Sequence, residues 1–245
     1  KNRSNALNAL MSSNVACIVI TTGLAVPEDL VVLATKNKLT VFRTPLASSI
    51  AISRIQAFLE EHLSPEMSRH GVLIDVFGVG ILIIGKSGIG KSECALDLIL
   101  RGHRLIADDT VIIKAKNQKL VGKGSSLTRH HMEVRGLGII NVKELFGAAS
   151  VRASKRIELL VDMVAWEEGT TYVRTGLDDL KEIVLDREVP KIVLPIRSGR
   201  NVASIIEVAA RNHLLKLQGH NSAHEFQTQL VDKLSVHDHV LKGRD

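Results

Sequence analysis

Aromatic residues are scarce in this chain, since Phe, Trp and Tyr together make up 3% of its 245 residues. The core must therefore be mostly aliphatic, and single-strand nucleic-acid binding by base stacking, which needs exposed rings, is disfavoured. Only two cysteines are present, Cys17 and Cys94, too few for a disulfide framework or for a zinc site made of thiols alone. This cysteine usage suits a reducing compartment, and we expect a cytoplasmic protein.

Long apolar runs are also missing, because no stretch approaches the roughly 18 residues needed to cross a bilayer. The run at 15–20 lies behind Lys1 and Arg3, as the apolar part of a signal peptide would, although it is short. It continues into a strand–helix–strand pattern, however, so we interpret it as a strand. We expect no membrane partner. Because the sequence starts with Lys1 rather than Met, we expect it to begin inside a longer protein.

Acidic residues are outnumbered by basic ones, 26 against 32, which gives a formal net charge of +6 and a pI near 9.4. This balance suits an anionic partner such as a phosphate, a nucleic acid or an acidic protein surface. The Lys and Arg residues are scattered and form no dense block, so we expect no nucleic-acid partner. The 45% apolar content excludes long-range disorder.

Strands alternate with helices along the chain, which predicts an α/β fold. Near the N-terminus, apolar runs at 15–20 and 39–42 flank a short helix after Pro27, a βαβ pattern whose strands should be parallel. An amphipathic helix is predicted over 48–63, and residues 64–66 form the candidate linker. The sequence therefore predicts two domains, a partial small α/β domain at 1–65 and a larger domain at 66–245.

The larger domain opens with apolar runs at 72–77 and 79–84 separated by Gly78, which predicts a hairpin. Further along, the pattern predicts a polar loop over 114–129. The remaining predicted elements are helices at 91–100 and 201–217 and strands at 105–107, 111–113, 157–166 and 191–196.

A glycine-rich segment between the hairpin and its following helix fits G-x-x-x-x-G-K-[ST] at every fixed position: Gly85, Lys86, Ser87, Gly88, Ile89, Gly90, Lys91 and Ser92. The glycines let successive N–H groups point at a phosphate, and the helix start adds its positive dipole end. The Lys91 ammonium reaches the β- and γ-phosphates, and the Ser92 hydroxyl can ligate Mg²⁺. The segment predicts a phosphate-binding loop.

Two aspartates, Asp108 and Asp109, follow the next apolar run. Near a phosphate loop, an acidic residue at a neighbouring strand end holds Mg²⁺ directly or through water. One aspartate could bind the metal while the other accepts a proton from a hydroxyl substrate, or both could be solvated turn residues. If the hairpin turns about Val79, His70 lies opposite Gly88, where it could contact a phosphate or tune an aspartate. The alternative is a solvated histidine.

Glu133 and Arg135 precede a flexible Gly136-Leu137-Gly138. A carboxylate and a guanidinium beside such backbone could hold Mg²⁺ and phosphate, or they could form a surface ion pair. The residues alone leave both interpretations open.

At this level of detail the sequence resembles the bacterial HPr kinase/phosphorylase family over nearly its whole length. The resemblance rests on His70-Gly71, on the loop at 85–92 and on the stretch 102–109. Its most specific part is close to the family signature E-[IV]-R-G-L-G-I-I and consists of Glu133, Val134, Arg135, Gly136, Leu137, Gly138, Ile139, Ile140, Asn141 and Val142. Residues 1–65 resemble the later part of the family's N-terminal domain, and residues 66–245 its complete catalytic domain.

The resemblance implies a kinase that phosphorylates a serine of the phosphocarrier protein HPr, with ATP or, in some members, pyrophosphate. It also implies phosphorolysis, in which inorganic phosphate attacks the phosphoserine and yields pyrophosphate. Such enzymes regulate sugar uptake and carbon metabolism in bacteria. A catalytic domain similar to phosphoenolpyruvate carboxykinases, a Mg²⁺ cofactor and a homohexamer are further implications.

The resemblance implies roles for individual residues as well. Asp109, beside Asp108, matches the general base for the serine hydroxyl and the general acid in reverse. His70 matches the active-site histidine, and Lys91 the loop lysine.

Four further matches concern the metal and the phosphates. Ser92 and Glu133 match the Mg²⁺ ligands, and Arg174 matches an arginine that contacts the transferred phosphate. A segment that matches one important for phosphorolysis comprises Pro195, Ile196, Arg197, Ser198, Gly199 and Arg200.

The chain departs from the family pattern at three positions. Lys86 stands where many members carry an acidic residue, Ser198 replaces a proline, and Asn141 replaces a frequent aspartate. The change at Ser198 weakens the expectation of phosphorolysis, but none of the three removes a residue that the kinase chemistry needs. Two rival functions are a phosphate-loop kinase for a small molecule and a nucleotide-binding sensor or basic nucleic-acid module without catalysis.

Overall fold

The structure, a computed structural model, describes residues 9–10, 13–169, 180–197 and 199–230. The chain divides into two compact units between Ser64 and Pro65. No helix among the described residues is long and apolar enough to cross a membrane. The mixed α/β class expected from the sequence is confirmed.

The first unit has a βαβ core. Strand β1 (Cys17–Ile20) pairs in parallel with β2 (Thr40–Arg43), and helix α1 (Glu28–Lys36) connects them. Helix α2 (Ser48–Leu63) follows with the bounds that its periodicity predicts. The predicted parallel pairing is therefore confirmed.

The second unit contains twelve described strands, three labelled helices and a short 3₁₀ turn, followed by a fourth described helical segment. In chain order they are β3 (Glu66–His70), β4 (Val72–Val76), β5 (Val79–Gly85), α3 (Lys91–Leu100), β6 (Arg104–Ala107), β7 (Thr110–Lys116), β8 (Lys119–Gly124), β9 (His131–Val134), β10 (Gly138–Asn141), α4 (Val142–Phe146), the 3₁₀ turn (Ala148–Ser150), β11 (Ser154–Arg156), β12 (Leu159–Ala165), β13 (Lys181–Val184), β14 (Arg187–Ile196) and α5 (Val202–Leu217). Residues 222–230 are also helical.

Two sheets form the frame of this unit. The larger has the strand order β13-β14-β12-β5-β4-β6, and the smaller has the order β11-β8-β7-β3. Strands β5, β12 and β14 run parallel, with Gly85 opposite Met163 and Met163 opposite Leu194. The segments that follow these three strands therefore leave the sheet at one edge, where ligands bind in open α/β sheets.

The core of the second unit has two layers. One apolar cluster, which includes Leu98 and Ile206, lies between the larger sheet and helices α3 and α5. The other, which includes Leu82 and Leu160, lies between the two sheets. Because both faces of the larger sheet are covered, its central strands are apolar without alternation, as the run at 79–84 indicates.

The expectation of a polar loop over 114–129 is wrong for much of its length. Strand β7 continues to Lys116 and β8 begins at Lys119, with Asn117 and Gln118 between them at φ of 46° and 62°. Positive φ at both central residues is the geometry of a tight hairpin turn. The polar outward-facing residues conceal the strands, since only alternate positions such as Leu120 are buried.

Candidate active site

The glycine-rich segment 85–92 wraps around its own lysine. Gly85, Gly88 and Gly90 have φ of 148°, 78° and 101°, values that side chains rarely allow. Lys91 is buried, and its Nζ donates to the carbonyl oxygens of Gly85 at 3.0 Å and Lys86 at 3.1 Å. An ammonium group therefore lies at the centre of a loop that begins helix α3.

Close packing explains two of these glycines. A Cβ on Gly85 would lie 2.4 Å from the Met163 carbonyl oxygen, and one on Gly88 would lie 3.0 Å from Arg135 Nη2. The guanidinium of Arg135 is thus placed directly against the loop. This contact joins the signature segment to the loop, and it favours phosphate recognition over a remote surface ion pair for Arg135.

Ser92, Asp108 and Glu133 meet beside the start of α3. The Ser92 Oγ donates to Asp108 Oδ1 at 3.0 Å and Oδ2 at 3.2 Å, and the Glu133 backbone N–H donates to Oδ2 at 3.2 Å. Burial raises the pKa of the Asp108 carboxyl, and these hydrogen bonds oppose part of that rise. Among the described residues no group of three His, Cys, Asp or Glu side chains could hold a metal alone. One or two carboxylates with phosphate and water oxygens suit Mg²⁺, so the Ser92 hydroxyl and the Asp108 carboxylate are donors that fit this ion.

His70 and Asp109 form a second, exposed pair. The His70 Nδ1 lies 3.0 Å from Asp109 Oδ1, with side-chain exposures of 51% and 67%. Asp109 has a φ of 67°, and its carbonyl oxygen accepts from the Gly71 N–H at 3.0 Å. A proton acceptor this exposed can meet a hydroxyl carried on the surface of another macromolecule.

The predicted position of His70 opposite Gly88 is wrong. The hairpin pairs Val76 with Val79, so the turn falls at Phe77-Gly78, and His70 belongs to β3, opposite Thr110 of β7. The chain changes sheets at Gly71, where a Cβ would lie 2.5 Å from the Ile83 carbonyl oxygen. The other possibility, contact with an aspartate, is the one found.

The signature segment 133–142 forms a hairpin of β9 and β10 that runs into α4. Glu133 pairs with Ile139, and the exposed Leu137 lies at the turn. Asn141, at the frequent aspartate position, caps α4 by accepting from the N–H groups of Lys143 at 3.1 Å and Glu144 at 3.3 Å. Since Asn and Asp are equivalent N-caps, this departure keeps the local structure.

The segment 195–200 leaves β14 at the same sheet edge as the loop. The Arg200 Nη1 donates to the Pro195 carbonyl oxygen at 2.8 Å, and the Arg197 guanidinium lies 5.9 Å from the Trp166 ring centre. Two guanidinium groups are therefore anchored on this edge. Ser198 and Arg174 lie outside the described residues.

Sequence reasoning missed a set of charged side chains on four different strands. They are Arg69, Asp162, Glu182 and Lys191, which form consecutive ion pairs. One signal was available, because Asp162 and Lys191 interrupt otherwise apolar strands and a charge there needs a partner. The identity of that partner depends on the strand order.

A buried lysine in a glycine loop, a serine–aspartate pair at the following helix and an exposed aspartate–histidine pair are together typical of a kinase. Comparison with known proteins identifies the family. The model described as HPr Serine kinase C-terminal domain matches residues 61–230, and that described as HPr Serine kinase N terminus matches residues 1–59. The chain therefore belongs to the HPr kinase/phosphorylase family, and the resemblance inferred from its motifs is confirmed.

Individual relatives agree with this assignment. The chain is 51% identical over 231 residues to the HPr kinase/phosphorylase of Geobacter sulfurreducens, covering 94% of this chain and 72% of the relative. It is 45% identical over 231 residues to that of Bacillus subtilis, covering 94% and 74%. Among solved structures, the HPr(Ser) kinase/phosphatase from Coxiella burnetii matches with a TM-score of 0.59 and 38% identity, covering 65% of this chain and 98% of that one.

Proposed function

We propose that this chain transfers the γ-phosphoryl group of ATP to a serine of HPr and also removes it by phosphorolysis, with inorganic phosphate as acceptor and pyrophosphate as product. The observation that carries the proposal is the exposed His70–Asp109 pair, with 3.0 Å between Nδ1 and Oδ1, in a chain whose family acts on HPr by name. A site for a protein-borne hydroxyl must be open, and this pair is.

The nucleotide phosphates would bind to segment 85–92, a phosphate-binding loop. Its N–H groups and the α3 dipole attract the phosphates, and Lys91 would exchange the carbonyl oxygens of Gly85 and Lys86 for phosphate oxygens. Ser92 and Glu133 would hold Mg²⁺, with Asp108 orienting the Ser92 hydroxyl. When bound, the ion neutralises charge on the phosphate oxygens.

Asp109 would accept the serine proton as the bond to phosphorus forms, and it would return the proton in the reverse reaction. A serine hydroxyl keeps its proton at neutral pH, so a positioned acceptor speeds the transfer. His70, in contact with the same carboxylate, would hold it towards the substrate. Lys91 and Arg174 would stabilise the transferred group.

Phosphorolysis requires a place for inorganic phosphate beside the phosphoserine. Segment 195–200 supports such a place, because it begins in the last two residues of β14, a strand parallel to β5, and carries Arg197 and Arg200 at the edge where the loop begins. A single guanidinium group can donate two parallel hydrogen bonds to a phosphate group.

Three further proposals concern the whole molecule. Residues 66–245 would form a catalytic domain similar to phosphoenolpyruvate carboxykinases, preceded by the partial domain at 1–65. The protein would act in the cytoplasm as a homohexamer. Light scattering tests the assembly, with six times the 26.7 kDa chain mass expected and the mass of a single chain contradicting it.

The decisive test is incubation of the chain with Mg²⁺, γ-labelled ATP and HPr. We expect label on an HPr serine. Label on a small metabolite instead would indicate a small-molecule kinase, and tight ATP binding without any transfer would indicate a nucleotide sensor. A Ser92→Ala variant is expected to reduce transfer, because it loses a Mg²⁺ ligand and the partner of Asp108.

A further inference from the structure

Four charged side chains of alternating sign form a continuous line between the two sheets of the second unit. Arg69 Nη2 lies 2.5 Å from Glu182 Oε1, Glu182 Oε2 lies 3.0 Å from Lys191 Nζ, and that Nζ lies 2.8 Å from Asp162 Oδ2. All four side chains are between 21% and 24% exposed. We call this set the Arg69–Asp162 line.

Hydrogen bonds within the line favour the charged forms of its two middle members, Lys191 and Glu182. Hydrogen bonding to Asp162 raises the pKa of Lys191. Burial works to raise the pKa of Glu182, but hydrogen bonds from Lys191 and Arg69 outweigh it and the pKa is lowered. Partly buried, networked pairs of this kind contribute more than isolated surface pairs.

Both ends of the line lie close to parts of the candidate active site. Arg69 immediately precedes His70 on β3, and Asp162 lies opposite Ile84, which immediately precedes the loop at Gly85. The two ends belong to different sheets. The line therefore connects the strand that carries His70 with β12, the strand that pairs with β5 just before the loop begins.

The contact between Arg69 and Glu182 joins two edge strands. In the described strand order, β3 is the outer strand of the smaller sheet and pairs with β7, while β13 is the outer strand of the larger sheet and pairs with β14. An edge strand has ladder hydrogen bonds on one side only. A side-chain contact across the gap therefore restrains these two edges in addition to the chain itself, which passes from β3 to β4 at Gly71.

We propose that Glu182 is a positioning residue for phosphoryl transfer: by holding Arg69 it fixes the end of β3, and with it the His70–Asp109 pair, relative to the loop. The inference rests on the proposed function. A general base works only when its accepting atom lies about 2.6–3.2 Å from the atom that carries the proton. A displacement of about 1 Å can cost about 100-fold in rate. Glu182 acts here through Arg69.

The test compares two substitutions on one hairpin. Glu182→Gln keeps the shape of the side chain but removes its charge. Glu188→Gln is the matched control, because Glu188 pairs with Lys181 at 2.7 Å and its side chain is 64% exposed. We expect Glu182→Gln to lower kcat for HPr phosphorylation about tenfold with the KM for ATP within about twofold. The control should leave both constants unchanged.

Arg69→Gln removes the positive partner of the same ion pair. We expect a similar loss of kcat, and a double variant no slower than either single one, because the two residues act through one interaction. Three results would each overturn the inference. They are a folded Glu182→Gln protein with unchanged kcat, a KM for ATP that rises by the same factor as kcat falls, and losses of kcat that add in the double variant.

The NMR signal of the His70 imidazole separates this inference from the proposed function, since it reports the histidine's surroundings without turnover. We expect it to move in Glu182→Gln and Arg69→Gln and not in Glu188→Gln. An unmoved signal overturns the positioning role even without activity data. A wild-type chain that never labels HPr contradicts the proposed function alone.

Discussion

At the scale of single residues, Asp109 carries the chemical argument. We expect Asp109→Asn to lower the rate of HPr phosphorylation about 10²- to 10⁴-fold, the range for loss of a general base. Nucleotide affinity, measured by calorimetry, should be retained because the loop is intact. Asp186→Asn, at an exposed turn with a φ of 59°, is the control. A rate for Asp109→Asn within threefold of wild type would remove Asp109 from this role.

For Asp108 the prediction concerns how the stability of the fold depends on pH. Burial raises the pKa of its carboxyl from an ordinary value of 3.8, so the charged form is costlier in the folded chain than in the unfolded one. Below the unfolded pKa the carboxyl is neutral in both states and costs no stability. The cost of burying its charge grows as pH rises from the unfolded pKa through the folded pKa. Urea unfolding should therefore show Asp108→Asn gaining stability relative to wild type between pH 4 and 7. A relative stability that falls across this interval would contradict the raised pKa.

Residues that stand inside or beside a recognisable pattern could be found from the sequence. Lys91 and Ser92 have fixed places in the loop pattern, and Asp108 and Asp109 follow the next strand. The pairing of Arg69 with Glu182 could not be found, because 113 positions separate them in the chain and only the strand order brings them together.

At the scale of elements, the β4–β5 hairpin shows what close packing requires. A Cβ on Gly80 would lie 1.8 Å from the Arg156 carbonyl oxygen, whereas one on Gly78 meets nothing within 4 Å at a φ of 84°. We expect Gly80→Ala to lower the free energy of unfolding by about 3 kcal/mol or more, because the clash is with backbone and the cost of overpacking is at its upper end. Gly78→Ala should cost about 1 kcal/mol from its backbone conformation. Equal losses in urea unfolding would contradict this packing.

Elements with a strong local signal were predicted well. Helices α2 and α3 have the predicted bounds because their periodicity is regular and a glycine at 102 ends α3. The His103 N–H donates to the Leu98 carbonyl oxygen at 3.1 Å and the Gly102 N–H to that of Ile99 at 2.9 Å, a Schellman ending. Strand β8 and the separate strand β3 were missed, since their pairing partners and the crossing at Gly71 are not local features.

At the scale of the whole molecule, the second unit carries its own core. Both apolar clusters consist of residues beyond Ser64. We expect a fragment of residues 65–245 to unfold cooperatively within about 4 °C of the full chain, since about 1 kcal/mol shifts Tm by about 2–4 °C at this size. Calorimetry of the two chains checks this. A fragment without a cooperative transition would show that the first unit is needed for folding.

The central claim is that one site performs both reactions, and a paired assay tests it most directly. HPr phosphorylation from γ-labelled ATP and pyrophosphate release from phosphoserine-HPr with inorganic phosphate are measured on wild type and Asp109→Asn. In the proposed mechanism the Asp109 carboxylate takes the serine proton in one direction and returns it in the other, so we expect both rates to fall at least about 100-fold. Loss of one reaction with the other intact would contradict a single site built on Asp109.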